Sequence, residues 1–241
     1  SIKLGALLHW LRWFCILAAL PFWIFCRLRW LARSATVPQP VQTAIRVYTT
    51  DWGFRGEGTR EIDWLLDGKE LHQDNTLFVI EKPVPEKYRA EFAARHYRVA
   101  DVSGPPGLLL PGLGAWIKLL SASFRASGLF VEVAARGWLD YLRWTAFLER
   151  WRPHHYVAYN HFHYDHVFRN SRLRSTGCKS WYYVHSVHDR CAFFYRSPDG
   201  PIRSKIAWTY LSYDQLVHWG ARDMELYRNM AVRSCNYQVL G

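Results

Sequence analysis

Histidines concentrate in one short part of this 241-residue chain, with six of the eleven falling between His155 and His188. His161, His163, Asp165 and His166 spell HxHxDH. Three imidazoles and a carboxylate so close together can hold zinc or iron and lower the pKa of a bound water. Farther along, His185, Ser186 and His188 form a second polar cluster, with His185 and His188 as candidate acid/base groups and Ser186 and Asn160 as candidate substrate contacts. A third stretch, DWGFRGEGT from Asp51 to Thr59, carries three glycines that let a ligand approach free backbone N–H groups. It also supplies Asp51 and Glu57 as candidate general bases, while Arg55 and Lys179 are cations suited to phosphate. The plainer alternative makes these a solvated turn aspartate, a helix-capping glutamate and histidines that complete a polar network.

Such loops need strands to hold them. Residues 156–159 read as an apolar strand, 167–175 as a short basic helix, Gly177 as its stop, and 180–184 as a second strand. Before them come a β-branched run at 44–50, a helix at 61–67, a strand at 76–81, a helix at 85–96 and a strand at 97–102. Strands alternating with helices imply parallel βαβ units. In an open parallel sheet, ligands bind outside the carboxyl ends of the strands, where all three polar loops would meet. The stretch 103–151 interrupts the rhythm with GPPGLLLPGLG and long amphipathic helices, and reads as a helical insertion with Trp116, Trp138 and Trp144 toward its surface. A helix at 202–210, a strand at 215–219, a helix at 222–230 and a strand at 237–240 complete the pattern. The expectation is an α/β fold: a Rossmann-like parallel sheet with flanking helices over residues 44–241, interrupted by the insertion 103–151.

Half the residues are apolar and 17% are aromatic, which excludes a disordered chain. The formal charge of +11 implies an anionic partner. The first fifty residues hold Lys3, Arg12, Arg27, Arg29, Arg33 and Arg46 with no acid, interleaved with apolar runs and four tryptophans. That pattern points to anionic lipid headgroups. Residues 1–33 are expected to form a membrane anchor, monotopic or a single span, because the uncharged core 13–26 would be about 21 Å long as a helix against a hydrocarbon slab of roughly 30 Å. Residues 34–43, with Pro38 and Pro40, read as a linker. Arg169, Arg172, Arg174 and Lys179 read as a basic patch on a solvated helix face, and with no accompanying motif nucleic acid is not the expected partner. Five cysteines without CxxC spacing fit a reducing compartment.

Two resemblances follow from particular phrases. YNHFHYDHVFRNSRLRSTGCKSWYYVHSVHD, YDQLVHWGARDMELYRNM and NYQVLG together resemble the amino-terminal, acceptor-binding half of bacterial surface-polysaccharide glycosyltransferases of the two-Rossmann-domain GT-B type. In those proteins a strand ending in a His-containing loop follows a Gly-x-Lys turn, matched here by Gly177, Lys179, His185 and Ser186. A later strand ends in a glycine, matched by Gly220. The resemblance implies a membrane-associated transferase of the cell envelope, at the cytoplasmic face of the inner membrane. It would act in surface polysaccharide or lipid-linked glycan synthesis, with a lipid-linked acceptor and a nucleotide-sugar donor held mainly by a carboxyl-terminal domain or partner subunit. It implies no resident cofactor. A non-catalytic anchor subunit that presents the acceptor in a split transferase is the second possibility. HxHxDH, in turn, resembles the signature of the metallo-β-lactamase-like hydrolases, and implies a zinc or iron site at His161, His163, Asp165 and His166.

Overall fold

The computed structural model describes residues 4–15, 18, 39–47, 71–81, 83–102, 117, 120–122, 128–159, 165–183, 196–197, 200–201, 211–218, 220–221, 224 and 236–239. Its helices are α1 (residues 4–15), α2 (Glu86–Ala94), α3 (Gly128–Arg150) and α4 (Asp165–Arg174). Its strands are β1 (Gln39–Val47), β2 (Thr76–Ile80), β3 (Val99–Asp101), β4 (Trp151–Tyr159), β5 (Lys179–Tyr183), the two-residue pair β6 (Arg196–Ser197) and β7 (Gly200–Pro201), β8 (Gln215–His218) and β9 (Asn236–Val239). The chain divides into two compact units, one of residues 1–38 and 105–150, the other of residues 39–104 and 151–241.

The second unit is a seven-stranded sheet in the order β3-β2-β1-β4-β5-β8-β9. Every neighbouring pair in it is parallel. This is the expected Rossmann-like α/β architecture. The strands alternate little between apolar and polar residues because both faces are covered: all five residues of β2 are buried. On one face Ile45, Val47, Phe78 and Ile80 pack with Val84 and Phe92, the last from α2. The opposite face carries Ala44, Arg46, Tyr156 and Ala158, all buried, and there the guanidinium of Arg169 from α4 lies 4.6 Å above the Tyr156 ring.

Two strands begin earlier than their apolar runs suggest. β1 starts at Gln39, inside the stretch read as linker, and β4 starts at Trp151, inside the stretch read as helical insertion. Pro40 and Pro153 argue against central strands on sequence grounds. The register removes the conflict. β1 pairs with β2 only from Thr43, and β4 pairs with β5 only from His155, so each proline sits where its strand has one neighbour.

In the first unit, α3 buries Val131, Ala135, Trp138 and Leu142 at helical spacing. Trp13, Leu120, Leu139 and Tyr141 pack against the last three. Trp138 and Trp144 are each only 5% exposed, which corrects their placement at the surface: they fall on the buried stripe of the helix. Trp116 lies outside the described residues. Among the described residues, no helix is long and apolar enough to cross a membrane.

Candidate functional site

Strand order reverses between β1 and β4, with β2 and β3 on one side and β5, β8 and β9 on the other. Such a switch point is where open parallel sheets bind ligands, at the carboxyl ends of the strands. The sequence-predicted residues Asp51 and Arg55 follow β1, as does Glu57; Asn160, His161 and His163 follow β4; His185, Ser186 and His188 follow β5. All of these lie outside the described residues. The described residues instead show what underlies that edge.

Arg46, one residue before the end of β1, and Tyr156 of β4 share a face of the sheet, since Ala44 is the partner of Tyr156. Glu81 follows β2 directly. Its Oε2 accepts from Arg46 Nε at 2.8 Å, and its Oε1 accepts from Arg169 Nη1 at 2.6 Å and from the Tyr156 hydroxyl at 2.5 Å. Arg169 is buried to 1% exposure. It spends its other donors on the Tyr213 hydroxyl, 2.8 Å from Nη2, and on Asn170 Oδ1, 2.9 Å from Nε. One short helix therefore reaches Glu81 just after β2, Tyr156 of β4 and the segment before β8 through a single guanidinium, and β1 through Glu81.

The electrostatics follow from burial. Burial alone would lower the pKa of both arginines, but Glu81 outweighs it for Arg46, and Tyr213 and Glu81 outweigh it for Arg169, so both are raised and stay charged. Burial raises Tyr156 well above the ordinary phenol value and Tyr213 to about 12, so both hydroxyls keep their protons. Among the described residues, two guanidinium groups thus share one carboxylate. Buried ion groups of this kind add little stability over an apolar packing of the same volume, because desolvation consumes the Coulombic gain. What the arrangement does supply is a set of charged groups beneath the switch point that is oriented before any ligand arrives.

The helix read as a solvated basic patch is built otherwise. His166, Arg169, Asn170 and Leu173 form its buried face at helical spacing, so the basic patch is corrected to a helix whose central arginine points inward. Arg174 is also engaged, with Nε 2.6 Å from Asp214 Oδ1 and Nη2 2.7 Å from the Ser212 carbonyl. Arg172 is half-buried and Lys179 exposed. Lys179 opens β5 at the amino-terminal end of the sheet, paired with His155, and so lies about 13 Å along the strand from the carboxyl edge. That is the opposite end of the sheet from Arg46 and Glu81.

Of the HxHxDH residues, Asp165 and His166 are described. Asp165 opens α4, and its carboxylate accepts the backbone N–H of His166 at 3.1 Å. His166 is fully buried and stacked on Tyr213 with centroids 4.9 Å apart. Its Nε2 accepts the Ser212 backbone N–H at 3.1 Å, so that lone pair is occupied and the ring proton sits on Nδ1. The ring serves the packing of α4 against the segment before β8. Among the described residues, no group of three His, Cys, Asp or Glu is placed to hold a metal ion.

Sequence reading missed Arg46, Glu81, Asn170 and Tyr213. The signals were faint but physical: a lone arginine inside the apolar run AIRV, an acid closing the buried run TLFVI, and polar residues four apart on a helix with little apolar content. No protein-family model matches the chain, and no curated protein is significantly similar to it in sequence.

Proposed function

We propose that this chain is the acceptor-side half of a membrane-associated glycosyltransferase of GT-B type. It would transfer sugar from a nucleotide donor to a lipid-linked acceptor at the cytoplasmic face of the inner membrane, in surface polysaccharide or lipid-linked glycan synthesis. The observation that carries this reading is the buried Arg46–Glu81–Arg169 cluster under the switch point of a parallel sheet ordered β3-β2-β1-β4-β5-β8-β9. Two guanidinium groups and a carboxylate held at that edge suit recognition of a charged headgroup in the crevice, and the phosphate of a polyprenyl-phosphate acceptor is such a group. In the transfer, an acceptor oxygen attacks the anomeric carbon and the bond from that carbon to the donor diphosphate breaks. The acceptor proton passes to a carboxylate or imidazole, for which Asp51, Glu57, His185 and His188 are the candidates, and the nucleoside diphosphate departs.

The test compares binding of polyprenyl phosphate and of the uncharged polyprenol to the full chain in detergent, with Arg46→Met and Glu81→Gln as variants. Phosphate-dependent binding that weakens in Arg46→Met and tightens in Glu81→Gln supports the reading, because unfolding would weaken both. Equal binding of phosphate and alcohol removes it. Binding of phosphate by a chain that never transfers sugar, even when supplied with a donor-binding half, would make the protein a presenting subunit. Stoichiometric metal and hydrolysis of an ester would make it a hydrolase.

A further inference from the structure

Among the described residues eight large apolar side chains are exposed, and all but Val239 belong to the unit of residues 1–38 and 105–150. Four are on α1: Leu4, Leu7, Leu8 and Leu11, at 61%, 52%, 57% and 41% exposure. At 3.6 residues per turn these positions, with exposed Cys15, fall within an arc of roughly 100°. The other side of α1 is held by its own unit. His9 Nε2 meets Glu132 at 3.1 Å, and Trp13 packs against the cluster of Ala135, Trp138 and Leu142. The leucine arc is therefore not the helix's inward face turned out; α1 has an inward face already.

The charge around the arc identifies what would cover it. Arg12 is exposed at the edge of the arc, about 40° beyond Leu8 at 3.6 residues per turn, whereas Arg136, 5.1 Å from the Trp13 ring centroid, is on the inward side and paired with Glu132 at 2.6 Å. The sequence that follows continues as apolar residues with Arg27, Arg29 and Arg33, and no acid occurs before Asp51. A second copy of the chain would bring two acid-free basic stretches together. An anionic lipid surface satisfies both the leucines and the arginines.

We propose that α1 docks in the plane of an anionic membrane, with Leu4, Leu7, Leu8 and Leu11 in the headgroup–acyl boundary and Arg12 at the lipid phosphates. Leu129 and Phe130, exposed at the start of α3, are a second apolar contact of the same unit. This surface stands on the first unit alone and does not rest on the transferase reading.

Flotation of the full chain with vesicles of phosphatidylcholine, with and without phosphatidylglycerol, tests it. The wild type should float with the mixed vesicles and much less with phosphatidylcholine alone. Leu7→Gln/Leu11→Gln should reduce partitioning by roughly tenfold or more. The double variant should leave far-UV circular dichroism and the thermal midpoint in place, since both side chains are exposed. Arg12→Gln should weaken binding to the anionic vesicles only. Unchanged flotation of the leucine variant would overturn the proposal, as would equal binding of the wild type to both vesicle types. So would a wild-type dimer that the leucine substitutions dissociate and that does not float.

Discussion

Among the described residues Glu81 receives three side-chain donors, and they are not equivalent. The Tyr156 hydroxyl adds a neutral donor to a carboxylate that keeps two guanidinium partners without it. Tyr156→Phe should therefore cost about 1 kcal/mol, the usual net value of one hydrogen bond. Glu81→Ala leaves two buried cations facing each other and should cost about 3–5 kcal/mol. Urea denaturation of the two variants checks the ordering; equal losses would mean that the guanidiniums are balanced elsewhere. His166 offers a second residue-scale test, because its two readings diverge. As a core residue, His166→Ala strands the Ser212 N–H and opens a cavity, and should cost about 2–4 kcal/mol. The metal content of the purified chain should stay the same in that variant. Metal that disappears with His166 would restore it as a ligand. Sequence alone could not decide this: HxHxDH shows residue types, whereas the use of the Nε2 lone pair depends on Ser212, which is far away in the chain.

Helix ends show why some elements were legible. α4 stops in a left-handed turn at Gly177, whose φ is 81°. Gly177 N bonds to the Arg174 carbonyl at 3.0 Å and Cys178 N to the Leu173 carbonyl at 3.1 Å, the paired bonds of a Schellman end. α2 ends with the same pair, His96 N to Ala93 O and Tyr97 N to Phe92 O, both 3.0 Å, but with His96 at φ 56°. The two ends should respond oppositely. A Cβ at Gly177 meets nothing within 4 Å, so Gly177→Ala costs only the left-handed strain, about 1–2 kcal/mol. His96→Gly relieves that strain and should gain up to about 1 kcal/mol, reduced by glycine's greater freedom in the unfolded chain. Thermal midpoints moving the same way in both variants would refute the argument. Gly177, the β-branched runs of β1 and β2 and the aromatic run of β5 speak through local chemistry, and sequence reading placed them. The starts of β1 and β4 depend on which strand lies alongside at Pro40 and Pro153, and Arg169 on α4 depends on Glu81 of a distant strand. Long-range pairing of that kind leaves almost no local trace.

At the scale of the whole molecule, the buried titrating groups define a window of stability in pH. Burial alone would raise the pKa of Asp214, but hydrogen bonds from the Ser180 backbone and hydroxyl and from Arg174 outweigh it, and its carboxyl is held below the ordinary value. The folded state then binds fewer protons than the unfolded one, so this contribution is complete above the ordinary aspartate range and is lost progressively below about pH 5. His155 adds to the same limb from a higher pH. Burial, with His154 and Lys179 nearby, lowers its pKa, so stability falls as pH drops through the unfolded histidine value near 6.5. The alkaline limb has the opposite sign. Tyr213, pushed up to about 12 by burial, keeps its proton when an unfolded tyrosine has lost it, so stability declines as pH rises above about 10. The formal charge of +11 makes the acid limb the steeper, since protonating carboxylates adds to an existing self-repulsion. Denaturation midpoints measured across pH should therefore plateau between roughly pH 7 and 10. Asp214→Asn should lower that plateau and flatten the acid limb, the two proteins converging at low pH, where the wild-type carboxylate is protonated as well. A constant gap between them at every pH would mean that Asp214 acts by shape and hydrogen bonding alone, without its charge.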